Sequence, residues 1–275
     1  GYTIPLDAAN QIPNSPTGTM TVSLYSYSDS YGYSPIGEES TKTFTVTVPD
    51  NDDTKPIATV DFSPVHTLED SFAGLFLQGI SKVKASISAQ GKYGASVKTK
   101  SITVGGIEYD SSTDYTSDPV SEYGNVTVKV NLTDSRGYTN STAHTISVIP
   151  YTKPRVVPIS SEASVACGRC DEDGEWSDSG TYLKIKARRS YSLCMVDGVQ
   201  KNFCGLRYRY KNVDSENFSE WVNLLLATDL STEEVITLPL LDGSLSIEES
   251  YIVQVDAVDI IPYNTPMTFT IPTDK

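Results

Sequence analysis

The sequence is poor in the side chains that most enzyme active sites need. Its 275 residues include only two histidines, His66 and His144, which lie far apart along the chain. A nucleophile elbow, a phosphate-binding glycine loop and a His-Glu-x-x-His motif are all absent from the sequence. Each histidine is expected to be a packed or surface residue rather than a ligand or a base. We therefore predict a non-enzymatic protein, and the many carboxylates leave a hydrolase only as a third alternative.

Cations and long apolar runs are also scarce. The chain has 21 Lys and Arg residues against 35 Asp and Glu residues, so its formal net charge is -14. A protein binds duplex nucleic acid through an excess of Lys and Arg side chains, which displace counterions from the phosphates. Because this chain has an excess of acidic residues instead, we predict no nucleic-acid partner. No run of 18 or more apolar residues occurs, and no basic-then-apolar leader precedes Tyr2. The sequence therefore predicts no membrane insertion and shows no export signal.

Helical periodicity is nearly missing, whereas Tyr, Thr, Ser and Val are frequent. In residues 124–134, apolar residues alternate with polar ones, which is typical of a strand that buries one face. An Asp-Ser-Arg-Gly turn at 134–137 and a second apolar run complete a hairpin. Similar hairpin patterns occur at residues 19–48 and 251–271. Composition and repetition together predict an all-β fold.

Three such hairpins predict tandem immunoglobulin-like β-sandwich domains. We assign them to residues 1–52, 53–152 and 153–275. An immunoglobulin-like domain needs about 100 residues and about seven strands. The first domain is long enough for roughly three or four strands, one of them expected around residues 3–6. It is therefore predicted to be partial, the C-terminal half of a sandwich that extends further N-terminally in the natural protein.

A loop in the first predicted domain has the composition of an adaptable binding surface. Ser and Gly residues surround a group of tyrosines there, Tyr25, Tyr27, Tyr31 and Tyr33. We hypothesise that these side chains contact a saccharide or a protein partner. The alternative is a decorated surface or a contact between domains.

The cysteines all fall in the third predicted domain, at Cys167, Cys170, Cys194 and Cys204. Their number matches a four-thiolate site, which makes them candidate zinc ligands. A strand over residues 181–192 would separate Cys170 from Cys194 by roughly 35–40 Å, at about 3.3 Å per residue. Cys194 and Cys204 flank one loop, so we favour a disulfide between them. Free thiols are the remaining alternative, because a reducing cytosol opposes disulfides.

Two acidic segments are candidate calcium sites, because Ca²⁺ prefers oxygen ligands. One is the linker at residues 50–53, and the other is the loop that carries Asp171, Asp173 and Asp178. The loop lacks the glutamate that a calcium-binding loop has at its end. A solvated turn is the alternative at both places, and beyond zinc and calcium we expect no cofactor.

Two basic stripes stand out against the negative background. Each consists of alternate residues of a predicted strand, so its side chains share one outward face. The stripes are Lys184, Lys186 and Arg188, and Arg207, Arg209 and Lys211. They would contact an anionic cell-wall polymer, or they would simply keep an outward face soluble and protected from edge pairing.

Turn and core motifs in residues 4–49, 94–137 and 169–183 carry a family resemblance that covers nearly all the chain. These segments resemble repeats in structural proteins of those tailed bacteriophages, the siphophages, whose hosts are Gram-positive bacteria. Those proteins carry a domain of unknown function and are usually encoded among tail genes. The matching motifs are turns and core positions, so the resemblance implies a location and a fold class rather than catalytic residues.

The resemblance implies a virion component at the tail tip or in a fibre, built from tandem immunoglobulin-like domains. Such a protein would serve as a spacer and an interaction surface, and it would take part in host-cell attachment. Its expected partners are other tail proteins, further copies of itself in the particle and host cell-wall polysaccharide. The alternative is a bacterial cell-surface adhesin or carbohydrate-binding module, located on the surface of the bacterium.

Overall fold

The computed structural model describes residues 3–29, 31–68, 70–159, 164–227, 234–240, 245–261 and 266–273. Strands dominate these residues, and their helical segments are short 3-10 helices at Leu6–Gln11, Asp70–Phe72 and Ser111–Thr113. No helix in the described ranges is long and apolar enough to cross a membrane. The prediction of an all-β fold is confirmed.

The strands are numbered in chain order. The first ten are β1 (Thr17–Leu24), β2 (Ser40–Thr47), β3 (Ile57–Val65), β4 (Phe76–Leu77), β5 (Lys82–Gln90), β6 (Val97–Val104), β7 (Ile107–Tyr109), β8 (Thr116–Pro119), β9 (Gly124–Asp134) and β10 (Thr139–Ile149). The next ten are β11 (Arg155–Val157), β12 (Ala166–Cys170), β13 (Tyr182–Ser190), β14 (Met195–Val196), β15 (Val199–Gln200), β16 (Cys204–Asn212), β17 (Val222–Ala227), β18 (Glu234–Leu240), β19 (Tyr251–Asp259) and β20 (Met267–Ile271).

The chain divides into two compact units. Gly1–His66 and Gly79–Val148 belong to the first unit, and Thr67–Gln78 and Ile149–Lys275 belong to the second. The residues assigned above to a partial first domain thus cluster with those of the middle domain. The division into three domains stays a prediction.

The larger part of the first unit is a β-sandwich with antiparallel sheets. One sheet has the strand order β3-β5-β8, and the strands β10-β9-β6-β7 lie side by side in the other. Successive side chains of a strand point to opposite faces, so β9 exposes its polar residues and buries the alternate ones. The buried residues of β9 are Val126, Val128, Val130, Leu132 and Asp134.

A tight turn joins β9 to β10, as the sequence predicts. The Oδ1 atom of Asp134 accepts hydrogen bonds from the backbone N–H groups of Arg136 and Tyr138, at 2.9 Å each. Gly137 has a φ of 88°, a conformation that is open to glycine but strained for other residues. From this turn the hairpin runs in register from Thr139 opposite Thr133 to Val148 opposite Gly124.

The first unit also contains a two-stranded ribbon made of β1 and β2. The strands pair from Thr17 opposite Thr47 to Leu24 opposite Ser40. At the base of the ribbon, a Cβ atom on Gly18 would lie 2.5 Å from Cγ2 of Ile12, so only glycine fits there. The strand predicted around residues 3–6 is wrong, because this stretch leads into the 3-10 helix Leu6–Gln11. Pro5, which has no N–H for a ladder, starts that helix by accepting the Ala8 N–H at 3.0 Å.

The second unit repeats this strand order. β13 pairs with β18 on one edge and with β11 and β12 on the other, while β17-β16-β19-β20 form the facing sheet. In this arrangement β13, β16 and β19 occupy the positions that β5, β6 and β9 occupy in the first unit. β14 and β15 form a small separate hairpin. The core between the sheets includes Leu183, Ile185, Leu206, Tyr208, Val253 and Val255.

Candidate binding surface

The described residues of the loop that joins β1 to β2 extend the pairing of the ribbon. Tyr27 forms an antiparallel bridge with Pro35, and the Ser28 N–H donates to the carbonyl of Ser34 at 2.9 Å. At the turn, Oδ1 of Asp29 accepts the N–H groups of Tyr31 at 2.9 Å and of Tyr33 at 3.2 Å. The same carboxylate therefore fixes the backbone of two neighbouring tyrosines. We refer to residues 25–29 and 31–36 as the tyrosine tip.

The structure places all four sequence-predicted tyrosines in this tip, and all four are exposed. Tyr31 and Tyr33 have 82% and 85% of their surface accessible to solvent. Their ring centroids are 6.5 Å apart with an angle of 27° between the ring planes. Tyr25 and Tyr27 form a second pair at the same centroid distance with an angle of 36°. Both distances lie in the range of interacting aromatic pairs.

Carboxylates outnumber cations in the ribbon and in the residues next to it. Residues 3–53 contain seven Asp and Glu residues but only one lysine, Lys42. The pKa of the Asp29 carboxyl lies below its usual value, chiefly because it accepts the Tyr33 N–H. The pKa of Glu39 is also lowered, by hydrogen bonds from the side chains of Ser23 and then Tyr25. Both groups are therefore ionised near neutral pH, and the surface is negative.

A buried arginine, which the sequence analysis missed, holds the segment beside the ribbon onto the sandwich. Only 5% of Arg136 is accessible to solvent. Its Nε donates to the Ile12 carbonyl at 3.2 Å, Nη1 to Lys92 at 2.9 Å, and Nη2 to Ala9 at 3.0 Å and to Tyr93. One guanidinium thus joins three separate stretches of chain. We call this arrangement the Arg136 clamp.

Further contacts secure the base of the ribbon. The Tyr138 hydroxyl donates to the carbonyl of Val48, which directly follows β2. The Ser135 hydroxyl donates to the Pro13 carbonyl at 2.5 Å. Ala9, Val48 and Tyr138 form a small buried apolar cluster. The ribbon is consequently fixed at its base, while its tyrosines remain exposed at the tip.

The second unit has a comparable clamp of its own. Arg169 is 6% accessible, and its guanidinium donates to the backbone carbonyls of Gly180, Ser246, Glu249 and Pro272 at 2.7–3.2 Å. Arg169 also lies over the ring of Tyr251, 5.8 Å from its centroid. Nothing in the surrounding sequence signals this role, because the acceptors are backbone groups far along the chain.

A second polar cluster lies where β19 ends. The carboxylate of Asp259 accepts hydrogen bonds from the Tyr151 hydroxyl and the Asn202 amide at 3.0 Å each, and from the Ile261 N–H at 2.9 Å. Burial raises the pKa of Asp259 above its usual value. Asp259 at the end of β19 and Asp134 at the end of β9 play the same part. Each carboxylate accepts a hydrogen bond from the backbone N–H group two residues further on.

The four thiols are free in the structure. Cys170 lies opposite Tyr182, the first residue of β13, and Cys194 comes after the last residue of that strand. These two cysteines are thus at opposite ends of β13, as the sequence predicts. Cys194 and Cys204 flank the hairpin of β14 and β15, and the Lys201 N–H donates to the Cys194 carbonyl at 2.9 Å.

Burial raises the pKa of all four thiols above the usual value. The pKa is raised to about 11 for Cys194 and to about 12 for Cys167 and Cys204. Among the residues that the structure describes, no group of three or more His, Cys, Asp or Glu side chains could hold a metal ion. The disulfide between Cys194 and Cys204 and the zinc site with Cys167 and Cys170 stay predictions.

The two acidic segments use their polar atoms to build their own turns. Oδ1 of Asp171 accepts the N–H groups of Asp173 at 3.1 Å and Glu175 at 2.8 Å. In the linker, Oδ1 of Asn51 accepts the Asp53 N–H at 3.1 Å. This bonding fits the solvated-turn alternative, and the calcium hypothesis stays a prediction.

The basic stripe on β16 covers aromatic rings. The Arg207 guanidinium lies 4.2 Å from the centroid of the Trp221 ring, and Arg209 lies 4.6 Å from the same centroid. Arg209 also lies 4.5 Å from the ring centroid of Phe218. Arg207 additionally forms an ion pair with the buried Asp256 at 2.9 Å. These contacts favour the interpretation of this stripe as a packed outer face.

Comparison with known proteins gives low similarity to solved β-domain structures. Fibronectin(III)-like modules of CbhA from Clostridium thermocellum are 19% identical, with a TM-score of 0.27, and the match covers 79% of this chain and 94% of theirs. Three N-terminal domains of the highly immunogenic outer capsid protein (Hoc) of bacteriophage RB49 are 9% identical. Their TM-score is 0.32, and the match covers 94% of this chain and 89% of theirs. Similarity at this level carries no inference about function.

No curated protein matches the chain. A family model, by contrast, matches residues 1–275, and its description is a siphovirus protein of unknown function, DUF859. That match covers every element described above, from the ribbon to the last strand. The chain therefore belongs to the DUF859 family of siphovirus proteins.

Proposed function

We propose that this protein is a structural component of the siphovirus virion, located in the tail at its tip or in a fibre. It acts without enzymatic activity, as a spacer that holds an interaction surface away from the particle, and it takes part in host-cell attachment. Its partners are other tail proteins, further copies of the same chain and cell-wall polysaccharide of a Gram-positive host. Membership of a siphovirus family supports the assignment to a phage particle.

The Arg136 clamp is the observation that carries the spacer role. A spacer must keep a fixed direction, and a flexible linker between β elements does not provide that. Here the guanidinium and the Tyr138 hydroxyl connect residues 9–12 and Val48 to the sandwich of the first unit. A ribbon fixed at its base can present its tip in a defined orientation.

The domain division at residues 52 and 152 is part of this proposal. In it, the ribbon of β1 and β2 belongs to a partial immunoglobulin-like domain. One face of the ribbon supports this interpretation, because Val22, Leu24 and Phe44 on that face are exposed apolar residues. A two-stranded ribbon alone is marginally stable, so such a face is normally covered by further strands.

Mass spectrometry of density-purified phage particles tests the proposal. The tryptic peptide of residues 190–201 should be present at a stoichiometric level relative to known tail proteins. Its detection only in the surface fraction of the bacterium would instead support the adhesin or carbohydrate-binding alternative. Hydrolysis of cell-wall material by the purified protein, lost on substitution of a single carboxylate, would contradict the non-enzymatic role.

A further inference from the structure

We infer that the tyrosine tip is a binding site for neutral saccharide chains. This inference rests on the proposed role in host attachment and adds the site and the chemical class of the ligand. Aromatic rings are the first requirement, because the apolar faces of sugar rings pack against them while hydroxyls stay hydrated. Tyr31 and Tyr33 are both more than four-fifths exposed, and their ring planes are inclined by 27°. Tyrosine supplies such contact area at a low cost in side-chain entropy.

Preorganisation is the second requirement, since ordering a loose loop on binding would reduce affinity. The Asp29 carboxylate already holds the backbone of Tyr31 and Tyr33 in place. The Ile36 N–H donates to the Ser26 carbonyl at 2.7 Å and extends the pairing across the tip. The tip is therefore shaped before a ligand arrives.

A row of hydroxyl groups extends the site along the ribbon. Tyr25 follows Ser23 by two residues, so it continues the same face of the strand. That face is exposed and carries cross-strand pairs of hydroxyl side chains: Thr17 with Thr47, Thr19 with Thr45, Thr21 with Thr43, and Ser23 with Thr41. Each hydroxyl can both donate and accept a hydrogen bond, which suits the hydroxyl groups of a sugar chain. The face thus offers rings at one end and hydrogen-bonding groups along its length.

The negative charge of the tip discriminates between neutral and anionic saccharides. Asp29 and Glu39 hydrogen-bond to tyrosines of the tip, and Lys42 is the single cation within residues 3–53. An anionic cell-wall polymer would be repelled by this local field, most strongly at low salt. Neutral chains carry no such penalty, so the geometry and the charge point to the same class of ligand.

A glycan array with neutral and anionic saccharides, probed with the full 275-residue chain, tests the inference. Binding should be confined to neutral glycans and should not weaken as salt increases. Calorimetry with the strongest neutral glycan then compares variants. Tyr31→Ala combined with Tyr33→Ala should raise Kd by about tenfold or more. Tyr123→Ala, which removes a 64% exposed tyrosine of the first unit outside the tip, should leave Kd unchanged.

Asp29 provides a second pair of variants that separates preorganisation from ring contact. Asp29→Ala removes the acceptor for both tyrosine N–H groups and should weaken binding although every ring is retained. Asp29→Asn keeps an oxygen acceptor and should restore most of the affinity. Equal affinity of Asp29→Ala and the unaltered protein would contradict the preorganised tip.

Three results would overturn the inference: no binding to neutral glycans, a preference for anionic glycans that falls with salt, or unchanged binding by the double tyrosine variant. The particle measurement above distinguishes this failure from that of the proposed function. Peptides at a stoichiometric level in virions together with no saccharide binding would leave the virion role standing and reject only the ligand. Saccharide binding by a protein absent from virions would reject the virion role.

Discussion

Replacement of Arg136 by alanine is expected to release the N-terminal segment from the sandwich of the first unit. The guanidinium is buried and donates to the carbonyls of Ala9, Ile12, Lys92 and Tyr93. Hydrogen bonds that involve a charged group contribute about 1.5–3 kcal/mol each to stability. The variant also leaves the carbonyls without their donor in a dry environment, and this adds to the loss.

The net effect is smaller than the sum of these bonds. Burial of the guanidinium itself costs free energy, and this cost disappears with the side chain, so the expected loss of unfolding free energy is about 3–5 kcal/mol. Two of the four acceptors, Ala9 and Ile12, lie in the N-terminal segment. About half of the loss should therefore act on the docking of that segment. A local loss of about 1.5–2.5 kcal/mol corresponds to a factor of about 10–70 in its opening equilibrium.

Hydrogen exchange measured by mass spectrometry reports this opening directly. The Ala8 N–H bonds to the Pro5 carbonyl and the Ile12 N–H bonds to the Ala9 carbonyl, both at 3.0 Å, so a peptide over residues 4–14 contains protected amides. In Arg136→Ala these amides should exchange about 10–70 times faster. Arg136→Lys should resemble the alanine variant, because one ammonium group cannot reproduce the fork of the guanidinium.

Arg169→Ala is the matched control. It removes a guanidinium that is equally buried and also bonded to four carbonyls, but within the second unit. It should lower the stability of that unit and leave the exchange of residues 4–14 unchanged. If Arg136→Ala leaves exchange in this peptide at the rate of the unaltered protein, the clamp does not hold the segment and the reasoning is wrong.

Three further outcomes are expected. Tyr138→Phe removes the hydrogen bond to the Val48 carbonyl and should lower the free energy of unfolding by about 1 kcal/mol in urea titrations. Burial raises the pKa of Cys194 to about 11 and of Cys204 to about 12. In the reduced protein, both thiols should therefore resist iodoacetamide at neutral pH until the protein unfolds. Rapid labelling of the native protein would contradict this. Burial also raises the pKa of Asp259, so its contribution to stability is fully present below the usual Asp pKa and is lost as pH rises through the higher folded value. Asp259→Asn should remove that part of the pH dependence, whereas an unchanged profile of urea midpoints against pH would reject the assignment.

Local sequence patterns were sufficient for most strands. The alternation in residues 124–134 predicts β9 because burial of every second side chain is a property of the strand itself. The turn after β9 could also be predicted from the sequence, because Asp134 accepts hydrogen bonds from N–H groups only two and four residues away. The prediction of a strand around residues 3–6 was wrong, because Pro5 precedes a 3-10 helix at this place.

The buried arginines could not be found in this way. Arg136 follows Asp134 and Ser135 in a turn motif that ordinarily lies in solvent, and one of its acceptors, Ala9, is 127 residues away. Arg169 likewise bonds to carbonyls up to 103 residues distant. Backbone carbonyls are the same in every residue type, so no sequence signal marks which of them will meet a guanidinium. The exposed tyrosines, by contrast, were visible in the composition of their loop.

The resemblance to siphophage proteins agrees with the family to which the chain belongs. Turn and core motifs carried that resemblance, and such motifs record a fold and an ancestry rather than a ligand. The Gram-positive host, the place in the tail and the role of the tyrosines therefore stay predictions.

The Arg136 clamp differs from a disulfide in what it requires of its surroundings. A cysteine cross-link forms only where an oxidant is present and is undone by cellular thiols. A guanidinium surrounded by carbonyls is complete as soon as the chain folds, because hydrogen bonds to backbone groups need no oxidant. The Arg136 clamp is therefore the same in a reducing cytosol and in an oxidising medium. A protein that passes from one to the other keeps the geometry of the clamp without any covalent chemistry.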